Sequence, residues 1–228
     1  MLFDKTKTLL LAIDVQNDFC PAYTNAEGVT GPDGALAVRD GSAVVAPLNA
    51  LAAAFAAGGR VAATQDWHPP GHVSFASSYR EKKPGDLIDL AAPQVLWPDH
   101  CVQGTWGAAF HESLNLNPVN LIVRKGFRKG LDSYSAFFEN DRVTPTGLDG
   151  WMQTLFIETV LIGGLATDYC VFHSAMDAIS LGYNTIIIED AVRGVNYPAG
   201  SIDDAIAHMK KAGIVFASSR KLVGDLRS

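Results

Sequence analysis

The sequence predicts one α/β domain over residues 1–228, built as a doubly wound, mainly parallel six-stranded sheet with helices on both faces. Short apolar, β-branched runs alternate with segments of helical periodicity, which is typical of strand–helix–strand units. The chain has 228 residues, within the range of one domain, and 48% of them are hydrophobic, enough for a sizeable core. No repeat, low-complexity tract or linker divides it.

Six short apolar runs predict the strands, because they are rich in β-branched residues and bounded by glycine or polar residues. They cover 8–13, 60–64, 119–123, 159–162, 185–188 and 214–217. Helical periodicity between the strands predicts helices over 42–57, 147–156, 168–181 and 198–212. Thr167 or Asp168 is expected to cap the third of these helices.

Charge and cysteine content exclude several classes of function. The net charge is −6 and the pI about 5.4, so the chain lacks the basic surface that follows a nucleic-acid backbone. No apolar stretch reaches membrane-spanning length. The three cysteines are odd in number and form no C-x-x-C pair, which argues against a disulfide framework. We therefore expect a cytoplasmic protein that binds neither nucleic acid nor membrane.

Four reactive side chains stand where predicted strands end. Asp14, Asp66, Lys125 and Cys170 lie at or just after the carboxyl ends of the first four strands. In open α/β sheets this edge is where ligands bind. The sequence therefore predicts that these four residues, distant along the chain, meet at one rim of the sheet.

Cys170 is a candidate nucleophile. In the first turn of a helix, unpaired backbone N–H groups stabilise a thiolate, and Lys125 nearby would lower the thiol pKa further. A buried structural cysteine is the alternative interpretation. His173, three residues later, permits a Cys–His pair, but a base so close on one helix leaves little room for substrate. Asp14 can serve as a general base or bind loop backbone.

A metal site is the hypothesis for a second cluster. Asp66 and His68 stand two residues apart, and with His100 they supply a two-histidine, one-carboxylate set that suits Zn²⁺, Fe²⁺ or Mn²⁺. The alternative is histidines bound to backbone or exposed on the surface. His72 is close enough in sequence to be a further ligand but is left out of the set. His111 and His208 have no partner in sequence and are expected to be structural.

Several segments together resemble the nicotinamidase family, within the isochorismatase-like cysteine hydrolases. They occur in family order and span most of the chain. The matching segments read DVQNDFC at 14–20, TQDWHP at 64–69, WPDHCVQGT at 97–105, KG at 125–126, DSYSAF at 132–137 and GGLATDYC at 163–170.

The resemblance implies a role for each matching residue. The catalytic triad would be Asp14, Lys125 and Cys170, with the amides of Ala166 and Cys170 as the oxyanion hole and a cis peptide near Leu165-Ala166. One divalent metal ion, most simply zinc with iron or manganese as alternatives, would be held by the second cluster. The residues implied to wall the aromatic substrate are Phe19, Trp97 and Tyr134.

The implied reaction converts nicotinamide, a small-molecule substrate, to nicotinate and ammonia through a cysteine thioester, a step of NAD salvage, and pyrazinamide is a further candidate substrate. Another amide or carbamoyl hydrolase of the same group is the alternative, but it would not use the metal ligands. A non-catalytic protein on this fold would not need to keep the three triad residues, yet all three are present. Isochorismate ether hydrolysis needs no cysteine nucleophile, so Cys170 argues against that reaction. A homo-oligomer is allowed. The segment 21–40 is longer than expected and is interpreted as a lid or a contact surface.

Overall fold

A computed structural model describes residues 4–24, 26–56, 58–90 and 93–227. Its main sheet has six strands: β1 (Thr8–Ile13), β2 (Arg60–Asp66), β5 (Leu121–Lys125), β6 (Thr159–Leu165), β7 (Asn184–Arg193) and β8 (Val215–Ala217). They lie in the order β5-β2-β1-β6-β7-β8, and every pairing is parallel. The chain thus runs outward from β1 in both directions, and the predicted parallel sheet is confirmed.

Helices cover both faces of this sheet, as predicted. One face packs on α1 (Val45–Phe55) and α5 (Ser219–Arg227), through side chains such as Leu48, Phe55 and Leu222. The other packs on α2 (Leu148–Thr154), α3 (Phe172–Ser180) and α4 (Ser201–Lys211). Because β1 has both faces covered, all six of its residues are buried, which explains its unbroken apolar sequence.

Several predicted boundaries were wrong. The first helix begins in a 3-10 turn, Gly41–Val44, and Ala57, its predicted end, lies outside the described residues. The fifth strand extends to Arg193, five residues beyond its predicted end. The sequence reading also missed α5 and a two-stranded antiparallel hairpin of β3 (Leu87–Asp89) and β4 (Pro93–Val95). The strands β3 and β4 have three residues each and are partly exposed, so they carry little periodicity, whereas the nine-residue helix α5 has an amphipathic pattern that the prediction overlooked.

The predicted cap at residues 167 and 168 was also wrong. A wide π-type turn, Thr167–Val171, precedes α3, and neither side chain caps it. The Asp168 carboxylate instead accepts hydrogen bonds from the backbone N–H groups of Val195 and Asn196 and from the Ser201 hydroxyl. Asp168 therefore ties this turn to the loop after β7. Within the described residues, no helix is long and apolar enough to cross a bilayer.

Candidate active site

The four predicted strand-end residues meet at the carboxyl edge of the sheet. Asp14 follows β1, Asp66 and Lys125 end β2 and β5, and Cys170 lies in the turn after β6. The Lys125 Nζ atom lies 2.9 Å from Asp14 Oδ2, 2.5 Å from Asp66 Oδ1 and 3.4 Å from Cys170 Sγ. One ammonium group therefore contacts both carboxylates and the thiol.

Lys125 is fully buried and depends on these contacts. Its ammonium also donates to the Ser133 carbonyl at 2.8 Å. Burial opposes the charged form, but the carboxylates of Asp14 and Asp66 outweigh it and raise the pKa of Lys125 well above its ordinary value. The oxygen and sulfur atoms of Asp14, Asp66 and Cys170 lie within 4.8 Å of one another, around this cation. We therefore assign the centre of this trio to the ammonium and not to a metal ion.

Asp14 is held in an uncommon backbone conformation. Its φ is +47°, and the side chain of Thr64 both donates to Asp14 Oδ1 at 2.6 Å and accepts from the Asp14 N–H at 3.1 Å. Burial raises the pKa of Asp14 to about 6, with Lys125 opposing the rise. At neutral pH the carboxylate is therefore ionised, yet its pKa suits proton exchange.

Cys170 rests as a thiol. Burial is the largest cause that raises its pKa well above the ordinary value; Lys125 opposes the rise, and the nearby carboxylates of Asp14 and Asp66 add to it. The expected effect of Lys125, which lowers the pKa of the thiol, is present, but burial and the two carboxylates keep the pKa of Cys170 high. The thiol needs a base to remove its proton, and Asp14 lies beside it.

The three predicted metal ligands meet next to this group. Asp66 Oδ2 lies 3.6 Å from His68 Nε2 and 4.0 Å from His100 Nε2. Donors bound at about 2.1 Å to one ion are separated by about 3 to 4.2 Å, so this spacing fits a common ion. All three residues are buried. Asp66 thus directs one carboxylate oxygen to Lys125 and the other to the histidines.

Hydrogen bonds set the tautomers of both histidines. His68 Nδ1 lies 2.9 Å from the Gly126 carbonyl, and His100 Nδ1 lies 2.8 Å from the Pro98 carbonyl. Since a carbonyl only accepts, each Nδ1 carries a proton, which leaves each Nε2, on the side of Asp66, as the atom that can bind a metal ion. Burial lowers the pKa of His100 to about 4, which keeps its imidazole neutral. The donor set therefore fits a divalent metal ion.

Two further residues adjoin the metal ligands. His72 stacks on His68 with ring centroids 4.3 Å apart, and its nitrogens face the Ser74 hydroxyl at 2.7 Å and the Leu131 carbonyl at 3.3 Å. These contacts favour leaving His72 out of the ligand set. Asp132 lies close enough to His68 and His72 to share an ion with them and also lines the pocket. It lay in a matching segment but received no role from the sequence.

A small, mostly apolar pocket opens above Cys170. The three predicted wall residues, Phe19, Trp97 and Tyr134, all line it. Trp97 Nε1 donates to the Tyr134 hydroxyl at 3.1 Å, which fixes two walls against each other. Residues that line the pocket and were missed in the sequence are Leu36, Tyr169 and Val195. Leu36 and Val195 are apolar side chains in loops, which carry no chemical signature, whereas Tyr169 stands directly before Cys170 in a matching segment and was given no role.

The predicted cis peptide is confirmed between Leu165 and Ala166, and Ala166 lines the pocket beside Cys170. His173 stacks on Tyr134 with centroids 5.3 Å apart and makes no hydrogen bond to the thiol. The Cys–His alternative is therefore not supported by the contacts. His111 stacks on Tyr23, and His208 is exposed and bonds to the Asp204 carbonyl, away from the pocket.

The chain resembles proteins that share this arrangement of strands. Residues 8–221 match the Isochorismatase domain. The chain is 43% identical to a nicotinamidase of Acinetobacter baylyi over 215 residues. This aligned region covers 94% of each protein.

Two solved structures extend this similarity. A nicotinamidase and pyrazinamidase of Acinetobacter baumannii superposes with a TM-score of 0.87 and 42% identity, over 96% of this chain and 100% of that one. A Pyrococcus horikoshii pyrazinamidase in complex with zinc superposes with a TM-score of 0.72 and 30% identity, over 93% and 99% of the two chains. Because the family match spans residues 8–221 and a relative 43% identical covers 94% of the chain, the chain belongs to the isochorismatase domain family.

Proposed function

We propose that this chain is a hydrolase that converts nicotinamide to nicotinate and ammonia through a thioester on Cys170. The observation that carries the proposal is the contact of one buried ammonium, Lys125, with both Asp14 and Cys170, beside a metal-ligand set in one pocket. Identity of 43% to a nicotinamidase supports the same substrate. The thiol, its base and a pocket lined by aromatic side chains are parts that hydrolysis of an aromatic amide through a nucleophile uses.

The reaction begins with a proton transfer. Asp14 takes the Sγ proton of Cys170, and the thiolate attacks the amide carbon to form a tetrahedral intermediate. Lys125 stays charged and stabilises the thiolate as it forms. The N–H groups of Ala166 and Cys170 hold the oxyanion, each contributing about 3 kcal/mol by comparison with other hydrolases.

Two bond cleavages complete the cycle. The C–N bond breaks as Asp14 returns the proton to the departing ammonia, which leaves a Cys170 thioester. Asp14 then removes a proton from water, the water oxygen attacks the thioester carbon, and the C–S bond breaks to release nicotinic acid, which loses its remaining proton to solvent and becomes nicotinate. The proton on Asp14 finally restores the thiol, so one water is consumed for each ammonia released.

A divalent metal ion bound in this pocket would supply a Lewis acid beside the substrate ring. Asp66, His68 and His100 would hold it. Zinc is the ion we propose, since a similar pyrazinamidase binds zinc and zinc prefers imidazole and carboxylate ligands. The three cysteines are unpaired and buried, which fits a reducing compartment such as the cytoplasm.

The test is ammonia release from nicotinamide by the purified, zinc-loaded protein, with Cys170→Ala measured in parallel. We expect release by the wild type and none by the variant. A metal-loaded wild type that releases no ammonia from nicotinamide would redirect the proposal to another amide. Release that persists in the variant would contradict the thioester and direct attention to a water nucleophile.

A further inference from the structure

Asp18 lies behind the pocket and binds two separate segments of the chain. Its side chain is buried, with Oδ2 accepting the Cys101 N–H at 2.7 Å and Oδ1 accepting the Ala35 N–H at 3.0 Å. Its main chain bonds to the same two segments. The Asp18 N–H donates to the Gly107 carbonyl at 3.0 Å, and the Asp18 carbonyl accepts the Leu36 N–H at 2.9 Å. Four hydrogen bonds therefore join this one residue to residues 35–36 and 101–107.

Each bound segment carries a residue of the candidate site. Cys101 directly follows His100 and has a φ of +46°, so the Asp18 carboxylate stabilises the backbone turn that aims the imidazole. Leu36, next to Ala35, lines the pocket. Phe19, next to Asp18 itself, also lines the pocket, and its ring lies 5.5 Å from that of His100.

We propose that Asp18 is a positioning residue that holds His100 for the metal ion and Leu36 against the substrate. The inference rests on the proposed function for the substrate but not for the metal. It assigns a role to part of the long segment 21–40, in which Ala35 is bound to Asp18 and Leu36 lines the pocket. Asp18 touches neither the substrate nor the reacting atoms.

The contacts require a carboxylate in this place. Its two oxygens accept two N–H groups that come from different segments, whereas an amide offers one oxygen and places an NH₂ group against the second N–H. The surroundings leave no space for adjustment. A Cβ on Gly107 would lie 2.0 Å from Asp18 Oδ2, and one on Gly34 would lie 2.4 Å from the Asp18 carbonyl oxygen.

Two substitutions disturb this carboxylate by independent routes. Asp18→Asn keeps the size and removes one acceptor, while Gly107→Ala keeps the carboxylate and displaces it. The matched control is Asp190→Asn, because Asp190 also accepts a backbone N–H and a hydroxyl, both from Ser219 at 2.7 and 2.6 Å, away from the pocket. Leu36→Ala removes the wall alone.

The measurements are zinc affinity of the metal-free protein against a chromophoric chelator, and kcat and KM for nicotinamide. We expect Asp18→Asn and Gly107→Ala to weaken zinc binding about tenfold to a hundredfold, as loss of support for a metal ligand does, and to raise KM. Leu36→Ala should raise KM and leave zinc affinity unchanged. Asp190→Asn should change neither quantity. Circular dichroism establishes that each variant is folded.

Folded Asp18→Asn and Gly107→Ala proteins that bind zinc within twofold of wild type would overturn the proposal. If neither variant folds, the carboxylate serves the fold and not the site, which also overturns it. The proposed function has its own test, because it is contradicted if the wild type releases no ammonia. In that case the zinc affinity of the variants still tests the role of Asp18.

Discussion

At the scale of single residues, the site depends on one buried cation among groups that would otherwise repel each other. Asp14 and Asp66 are both buried, and Lys125 lies within 2.9 Å of each. An isolated buried charge is strongly destabilising, but this ammonium and these carboxylates compensate one another. The arrangement therefore keeps Asp14 ionised near neutral pH while leaving it basic enough to accept a proton.

Replacing Lys125 by methionine removes the cation and leaves both carboxylates buried without it. We expect the free energy of unfolding to fall by about 3–5 kcal/mol, the usual cost of breaking a buried pair from one side. Urea unfolding of the metal-free protein measures this change. Lys7→Met is the control, since Lys7 pairs with Glu158 on the surface and should matter little. Equal stability of Lys125→Met and wild type would contradict the interpretation.

The pH dependence of catalysis follows from Asp14. Its pKa is raised to about 6 and its carboxylate form is the active one, so activity should be lost as the pH falls through about 6. Below that value we expect kcat/KM to decrease about tenfold per pH unit. The profile is measured from pH 4.5 to 8, with the bound metal determined at each point. A constant kcat/KM down to pH 5 with the metal retained would rule out this assignment.

At the scale of elements, the site depends on the close approach of β1 and β6. Asp14 follows β1, and Cys170 lies in the turn after β6. Ile13 of β1 pairs with Gly164 of β6 in the parallel register. Gly164 has a φ of +126°, and a Cβ there would lie 2.0 Å from the Ile13 carbonyl oxygen. Only glycine permits both this conformation and this contact between backbones.

Gly164→Ala should therefore separate the two strands. We expect a loss of at least about 2 kcal/mol in the free energy of unfolding, from backbone strain and overpacking together. Activity should fall as well, because Asp14 and Cys170 move apart. Gly150→Ala, at an exposed position of helix α2 with open space around it, should instead gain about 0.5–1 kcal/mol. Thermal and urea unfolding distinguish the two, and a stable, active Gly164→Ala protein would show that the contact can relax.

At the scale of the whole molecule, the metal-ligand set joins distant parts of the chain. Asp66 ends a central strand, whereas His68 and His100 lie in loops whose backbones bond to each other, His68 N–H to the Cys101 carbonyl at 3.0 Å. An ion that binds only this folded arrangement stabilises it through mass action.

Removing the metal should therefore lower the thermal stability of the protein. With zinc at a hundred times its dissociation constant, we expect about 2.7 kcal/mol of stabilisation, lost on dialysis against a chelator and restored by zinc. The midpoint of thermal unfolding measures it, and His100→Ala should abolish the zinc-dependent shift. A midpoint indifferent to both chelator and zinc would mean that the three donors do not form a tight site.

The sequence by itself determined the alternation of strands and helices and the reactive residues at four strand ends. It could do so because buried parallel strands are continuously apolar, and a polar residue that ends one is conspicuous at Asp14 and Lys125. Only the tertiary structure decided the strand order, the π-type turn around Cys170 and the wall formed by Leu36, since these depend on contacts between distant segments. The protonation of Cys170 was decided there too, because it reflects burial and the balance of three neighbouring charges that no local pattern records.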